Sequence, residues 1–147
     1  MEDKKMKYLE FVQGIINRMA ECSFKCKEIC ILVCSAILAI FASIESHPGF
    51  LLLICDLPII VFWLLDSYYL WQERGFRNTY SQKAVLNGEQ DFDDFRIAPR
   101  FDENRFKDHF GGVVFSKTIL PLYLSLFLAT TISGTILQII QIQCNCE

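Results

Sequence analysis

Three long apolar segments, separated by clusters of charge, constrain this chain more than any other feature of its sequence. Residues 29–44 and 118–142 contain no charged side chain, and residues 50–71 contain two acids and no base. A helix needs about 20 predominantly apolar residues to cross the ~30 Å hydrocarbon core of a bilayer. The second and third segments reach this length alone, and the first reaches it when residues 26–28 extend it toward the headgroups. The sequence therefore predicts three membrane spans.

The distribution of basic residues predicts the orientation of these spans. All 14 Lys and Arg residues lie in residues 1–28 and 72–117. The short Pro-Gly loop at 45–49 has none, so we expect it to form the tip of a hairpin on the outer side. Tyr68 and Trp71 are typical of the cytoplasmic end of a span. The N-terminus and residues 72–117 are then cytoplasmic, and the C-terminus lies outside.

The predicted fold class is an all-α integral membrane protein with an N-terminal amphipathic helix, three transmembrane helices and a small cytoplasmic helical module. The first two transmembrane helices form a hairpin, to which the third is added. The predicted parts are a cytoplasmic amphipathic helix at 1–28, the transmembrane hairpin at 29–71, the cytoplasmic module at 72–117, the third transmembrane helix at 118–143 and an extracytoplasmic tail at 144–147.

The polar segments also carry helical patterns. Apolar residues recur at spacings of three and four across residues 5–24, which predicts an amphipathic helix that lies on the inner leaflet, runs straight into the first span, or packs on a cytoplasmic neighbour. The pattern of the second span continues past Trp71 as far as Asn87–Gly88, so we expect one helix from about Phe50 to Leu86. The repeating residues of the amphipathic segment are Leu9, Val12, Ile15, Ile16 and Met19.

Polar residues inside the spans are candidate functional groups, because ionisable side chains in hydrocarbon are costly. Asp66 lies near the inner end of the second span, where an ion pair with an interfacial base is the favoured interpretation. Asp56 lies deeper and is protonated, bonded to hydroxyls, or in contact with water. In the third span, Thr131, Thr135 and Gln138 form a stripe. With Asp56, this stripe is either a helix-packing face or a pore lining.

The cysteines and histidines do not indicate a metal centre or an enzyme. Cys22, Cys26, Cys30 and Cys34 recur every four residues, and on a helix the ends of this stripe are ~18 Å apart, too far for one zinc ion. A close-packing face is the favoured interpretation, with palmitoylation or redox sensing as alternatives. The sequence lacks a phosphate loop, a zinc-binding pair and a nucleophile elbow. We therefore predict no catalytic residue, metal or cofactor.

The segment 88–111 alternates acids with phenylalanines and is interrupted by Pro99. Five phenylalanines are too many to leave in water, so we expect them to dock on the projecting helices or on another subunit. The candidates for docking a partner are Phe92, Phe95, Arg96, Phe101 and Phe106. The net charge of −3 argues against a nucleic-acid partner.

A family resemblance is carried by the stretch from Asp66 to Tyr80, DSYYLWQERGFRNTY, which follows a tight two-span hairpin and the amphipathic helix KYLEFVQGIINRMA. Over roughly residues 7–86 the chain resembles small bacterial membrane proteins of the SLATT-like kind, two-span modules associated with nucleotide signalling and anti-phage defence. The resemblance implies a membrane-disrupting effector in the bacterial inner membrane. It also implies a packed, charged seam on the projecting helix, formed by Asp66, Tyr69, Glu73, Arg77 and Tyr80.

Three functions are consistent with these features. The first is an oligomeric effector of a bacterial defence system, which forms a pore or depolarises the membrane when its cytoplasmic segment is triggered by a soluble sensor protein or a nucleotide signal. The second is a non-conducting membrane anchor that recruits or senses a soluble partner through residues 88–110. The third is a small ion or proton transport protein that uses Asp56. Three spans leave no room for a private aqueous channel, so function in the bilayer implies a homo-oligomer.

Overall fold

The computed structural model describes residues 2–43, 50–85, 97–102 and 109–144. All regular secondary structure among these residues is helical, which confirms the all-α part of the prediction. The helices are α1 (Glu2–Ser43), α2 (Phe50–Val85), α3 (Phe110–Val114) and α4 (Leu120–Cys144).

Helix α1 is one continuous helix of 42 residues. Its segment contains no proline and a single glycine, so nothing interrupts the backbone where the polar part meets the apolar part. The amphipathic segment therefore runs straight into the first apolar segment. At 1.5 Å per residue, α1 is about 60 Å long.

Helix α2 runs for 36 residues and packs antiparallel to α1. Its bounds agree with the single helix predicted from about Phe50 to Leu86. The Lys5 ammonium donates to the Ala84 carbonyl (3.3 Å) near one end of the pair, whereas Cys30 and Ile59 share a core in its other half. The two helices thus form one long hairpin, with a polar half near residues 2–28 and an apolar half beyond it.

The polar half of the hairpin is held by its own small core. Val12 and Ile16 of the predicted amphipathic stripe are buried together with Tyr8, and Phe76 and Tyr80 of α2 pack against them. The stripe therefore packs on a neighbouring helix, which was one of the interpretations that the sequence left open.

Helix α4 packs beside the apolar half of α2, antiparallel to it. Tyr123 donates to the Phe62 carbonyl (3.3 Å), and Thr130 meets Asp56 further along. The short α3 lies at the start of this contact, where the Trp63 indole donates to the Val114 carbonyl (3.1 Å). The core of the apolar half comprises Cys30, Cys34, Ile59, Val113, Ile119 and Tyr123.

Among the described residues, α1 is long and apolar enough to cross a membrane, and α4 contributes a shorter apolar stretch at Leu120–Ile136. Large apolar side chains are exposed on the outside of all three helices in the apolar half. They include Leu32 and Ile40 of α1, Leu57 of α2, and Ile132 of α4. The outer surface of this half is therefore apolar on every helix.

Candidate functional site

A buried ion pair joins α1 to α2 at the junction between the two halves of the hairpin. The Lys27 ammonium lies 2.8 Å from each oxygen of the Asp66 carboxylate. The Ser23 hydroxyl, one helical turn before Lys27, donates to the same carboxylate and also accepts from Lys27 (2.8 Å). Asp66 is fully buried. Both hydrogen bonds, from Ser23 and Lys27, go to Oδ1 of this carboxylate, whereas the buried Oδ2 accepts no hydrogen bond and meets Lys27 only as an ion pair.

The position of this cluster follows from the helical repeat. Ser23 and Lys27 are four residues apart and share one face of α1, and Asp66 occupies the facing position of α2. The Tyr123 hydroxyl of α4 donates to the Phe62 carbonyl, one turn before Asp66 on α2 (3.3 Å). The sequence predicted that Asp66 forms an ion pair near the inner end of the second span, and in the structure its partner is Lys27.

The other residues of the predicted seam continue along the same face of α2. Glu73 is buried and accepts from Arg77 (2.7 Å), whose side chain stays mostly exposed. Tyr80 packs against the α1 cluster around Val12, and Tyr69 makes an edge contact with Tyr68 at 5.8 Å between ring centroids. Asp66 and Tyr80 thus meet α1 from the same side of α2, and the buried Glu73 lies between them.

A second polar contact lies within the apolar half. The Thr130 hydroxyl of α4 lies 3.0 Å from the Asp56 carboxylate of α2 and 3.0 Å from the Phe127 carbonyl of its own helix, so its one hydrogen is shared between these two acceptors. Pro58 follows two residues later inside α2, and because it has no N–H, the carbonyl of Ile54 lacks its usual helical donor. Of the alternatives for Asp56, the bond to a hydroxyl is the one present in this arrangement.

The polar stripe of α4 does not face α2. The one hydroxyl hydrogen of Thr131 is shared between the carbonyls of Phe127 (2.9 Å) and Leu128 (3.0 Å), and the hydroxyl of Thr135 donates to Ile132 (2.8 Å). Thr135 is exposed, and the Gln138 side chain lies outside the described residues. Thr135 therefore lies on an exposed flank of α4, one turn after the partly buried Thr131.

An extended segment, Ile97–Asp102, lies along the outer face of α2 and is called the strap below. The Arg100 amide donates to the Gly75 carbonyl (3.1 Å), Thr79 donates to the Ala98 carbonyl (2.9 Å) and Asn78 to the Arg100 carbonyl (3.3 Å). The Phe101 ring stacks on Trp71, with 4.2 Å between centroids and 10° between planes. The Arg100 guanidinium also donates to Gln82.

Gly75 makes this contact possible. A Cβ atom built there would lie 2.6 Å from the Phe101 ring and 2.7 Å from Pro99, closer than non-bonded carbon atoms approach. The missing side chain opens a shallow groove on α2, which is lined by Trp71, Gly75, Asn78, Thr79 and Gln82. We refer to these five residues as the groove.

Sequence reasoning did not identify the groove. The signal that could have revealed it is Gly75, which lies in the middle of a strongly helical pattern. A glycine there destabilises a helix by about 1 kcal/mol relative to alanine, and such a glycine often allows another segment to pack closely. Of the predicted partner-docking residues, Phe101 packs on Trp71 of its own chain. Phe92, Phe95, Arg96 and Phe106 lie outside the described residues.

The cysteine stripe faces the interior of the helix bundle. Cys26, Cys30 and Cys34 are buried free thiols, and Cys22 is partly exposed. Within the described part of the chain, no cluster of three or more possible ligands could hold a metal ion. Comparison with known proteins found no matching family model, curated protein or solved structure.

Proposed function

We propose that this chain is a three-span protein of the bacterial inner membrane, whose oligomers permeabilise or depolarise that membrane when the cytoplasmic part is triggered. The N-terminus and the polar half of the hairpin lie in the cytoplasm, and the C-terminus lies outside. The trigger is a soluble sensor protein or a nucleotide signal. The single observation that carries the proposal is the continuity of α1 and α2 from the polar half into the apolar half.

The apolar surface supports the membrane location. Leu32 of α1 is 61% exposed and Ile132 of α4 is 56% exposed. Other large apolar side chains on all three helices are exposed to a similar extent. Soluble monomers rarely expose contiguous apolar patches of more than a few hundred Å². A bilayer would cover this surface, and the sequence places no Lys or Arg between residues 28 and 73 or after residue 117.

The flank of α4 supports assembly. Thr131 and Thr135 satisfy their hydroxyl hydrogens on their own helix, which leaves oxygen lone pairs free to accept from a neighbouring group. Hydroxyl and amide side chains on an outward face promote helix association in membranes. A ring of copies that meet along this flank would surround a polar path, which the three helices of one chain are too few to enclose.

The junction supports control from the cytoplasm. Because Lys27 and Asp66 tie the two long helices together where their polar and apolar halves meet, a displacement of the polar half moves the apolar half with it. A trigger bound to the cytoplasmic part could therefore alter how the spans pack against their neighbours.

Membrane potential in bacteria after induced expression, followed with a voltage-sensitive dye, tests this proposal. We expect depolarisation by the natural chain, and its loss when Thr135→Leu and Gln138→Leu are combined. The matched control is Ser133→Leu, which changes an exposed polar residue on the opposite flank of α4. Depolarisation that persists in the double variant, with oligomers intact, would show that this flank does not line the path.

A second candidate function, a non-conducting anchor that recruits a soluble partner, is favoured by one observation. The groove of α2 holds the backbone of an extended peptide through hydrogen bonds from the Thr79 hydroxyl and to the Gly75 carbonyl, and its Phe101 ring through an aromatic stack. Hydrogen bonds to the main chain combined with side-chain contacts are a general mode of peptide recognition. This candidate predicts that no conductance appears under any trigger, and that deletion of residues 88–110 abolishes function.

A further inference from the structure

Exposed aromatic side chains from three parts of the chain lie near the level of the buried ion pair. They are Phe24 of α1, Tyr68 of α2, Phe110 of α3 and Phe115, which caps α3, and we call them the aromatic band. We propose that this band contacts the phospholipid headgroup layer of the inner leaflet and holds the protein at a fixed depth in the membrane. The inference rests on the membrane location in the proposed function and is independent of the effector role.

Two rings of the aromatic band belong to the long hairpin. Phe24 directly follows Ser23 of the ion-pair cluster and is 67% exposed, and Tyr68 lies two residues after Asp66 and is 45% exposed. At 1.5 Å per residue, both residues lie within about 3 Å of the cluster along the hairpin axis. Exposed rings therefore mark the same level on α1 and on α2.

Helix α3 brings the other two rings to this level. The Phe110 ring makes an edge contact with Trp71 (6.1 Å between centroids), and the Phe115 ring makes one with Trp63 (6.0 Å). The Trp63 indole also donates to the Val114 carbonyl (3.1 Å). The two tryptophans lie on either side of the ion pair in α2, eight residues or about 12 Å apart. The segment from Phe110 to Phe115 therefore crosses the level at which the polar and apolar halves meet.

This segment has a buried side and an exposed side. Val113 and Val114 are buried, whereas Phe115 is 65% exposed and Phe110 is 39% exposed. Burial of a phenylalanine side chain is favoured by about 1.5–3 kcal/mol over its exposure to water, so these rings need a cover. Helix α4 begins five residues after Phe115 and exposes Leu124 and Leu128. A bilayer that covers α4 reaches α3 as well.

The headgroup layer suits this surface better than the hydrocarbon core or the cytoplasm. Aromatic rings concentrate at the two membrane–water interfaces, and each headgroup layer is roughly 5–8 Å deep. The exposed charged residues at this level have mixed signs, so the rings and not the net charge make the surface suitable for lipid. These charged residues are Lys25 with its partner Glu21, Glu28 and Lys117.

The inference changes the place assigned to α3. The sequence put residues 72–117 into one cytoplasmic module, whereas the contacts of Val114 and Phe115 are with Trp63, inside the apolar segment 50–71. Residues 110–115 are then a membrane-surface element, and the strap on the polar half of α2 remains in the cytoplasm.

Photo-crosslinking to lipid tests the inference in the full-length chain, reconstituted into vesicles of phosphatidylethanolamine and phosphatidylglycerol. Benzoylphenylalanine replaces one exposed phenylalanine at a time, at Phe11, Phe110, Phe115 or Phe127. Mass spectrometry identifies what is joined to each position after irradiation. We expect Phe110 and Phe115 to give adducts with phospholipid, attached at the headgroup, the glycerol or the first acyl carbons.

Phe11 and Phe127 are the matched control positions. Phe11 lies 12 residues before Ser23 in the polar half, about 18 Å from the ion pair, and should give no lipid adduct. Phe127 lies one turn after Tyr123 in the apolar half and should give adducts deeper in the acyl chains.

The natural tryptophans give a second measurement that needs no substitution. Trp63 and Trp71 contact the rings of α3, so lipids brominated near the headgroup should quench their fluorescence more strongly than lipids brominated near the ends of the acyl chains. This measurement covers the case in which benzoylphenylalanine disturbs the packing of α3.

The possible outcomes separate the inference from the proposed function. Lipid adducts at Phe127 but not at Phe110 or Phe115 would overturn the inference and retain the membrane location. Adducts of Phe115 with another protein chain alone would also overturn it. The absence of lipid adducts at all four positions would remove the membrane location and the inference together. The effector role is read independently from the membrane potential of cells, since the aromatic band contacts lipid whether or not the membrane is depolarised.

Discussion

The Asp66 carboxylate is fully buried, so the free-energy cost of its charge must be offset by the two groups of α1 that face it. A charge taken out of water is tolerated in a protein only when it is paired and hydrogen-bonded. Lys27 supplies the opposite charge and Ser23 a hydroxyl. Because both come from the partner helix, the cluster fixes the register of α1 against α2 at a single level.

Replacing Lys27 by methionine tests this dependence. Lys27→Met keeps the length of the side chain but leaves the Asp66 charge without its partner, so we expect the free energy of unfolding to fall by about 3–5 kcal/mol. The combined change Lys27→Met and Asp66→Leu removes both charges and should recover most of this loss. Unfolding in mixed detergent micelles, followed by the fluorescence of Trp63 and Trp71, measures both variants.

The exposed pair of Lys25 and Glu21 provides the control on the same helix. Their charged groups are 2.7 Å apart, and the hydrogen bond lowers the pKa of Glu21 and raises that of Lys25. Since the pair is exposed on the surface, Lys25→Met should leave the unfolding curve almost unchanged. Equal losses for Lys25→Met and Lys27→Met would contradict a special role for the buried pair.

At the scale of the elements, the docking of α4 on α2 depends on a polar contact inside an apolar interface. The Thr130 hydroxyl shares its hydrogen with the Asp56 carboxylate at 3.0 Å, and around this bond the two helices contact each other through apolar side chains. A carboxylate in such a place needs a donor, because an unpaired polar group in an apolar environment is costly.

Thr130→Val replaces the hydroxyl by a methyl group of similar size and leaves Asp56 without that donor. We expect the free energy of unfolding to fall by about 1–3 kcal/mol and amide hydrogen exchange to rise in α4 before it rises in α1. Thr131→Val is the matched control, since that hydroxyl donates only to carbonyls of its own helix. Similar exchange rates in the two variants would argue against a contribution of the Asp56 bond to docking.

The elements that could be predicted from the sequence are those governed by local periodicity. The extension of α2 past Trp71 followed from apolar residues at helical spacing, and its observed end at Val85 lies one residue from the predicted one. For the amphipathic segment at 5–24 the sequence left several arrangements open. An amphipathic pattern shows that one helix face is covered, but it does not specify whether lipid or another helix covers that face. The ion pair of Lys27 with Asp66 joins residues 39 positions apart, so only the packing of the hairpin could identify that partner.

The strap lay beyond sequence reasoning for a different reason. Its position depends on a side chain that Gly75 lacks and on a ring stack between Trp71 and Phe101, and neither produces a periodic pattern. The phenylalanine-rich composition of residues 88–111 indicated that rings would dock somewhere. It did not indicate which helix face would receive them.

At the scale of the whole molecule, the hairpin combines a charged half and an apolar half in the same two helices. Both helices pass the buried ion pair without a break, so the two halves share the same two helices instead of forming separate domains. α4 is added only to the apolar half, through Asp56 and the core around Tyr123.

The proposed orientation makes a prediction for the whole chain. If the N-terminus is cytoplasmic as proposed, a fluorescent protein fused before Met1 should fluoresce. If three spans then place the C-terminus outside, alkaline phosphatase fused after Glu147 should be active. Ending the chain at Lys117 removes α4, so alkaline phosphatase fused there should be inactive. The physical reason is the retention of basic residues on the cytoplasmic side, since residues 72–117 carry eight of the 14 bases. Activity after Lys117, or inactivity after Glu147, would mean that α4 does not cross the bilayer in the proposed direction. The exposed apolar side chains of α4 would then have to be covered by protein instead of lipid.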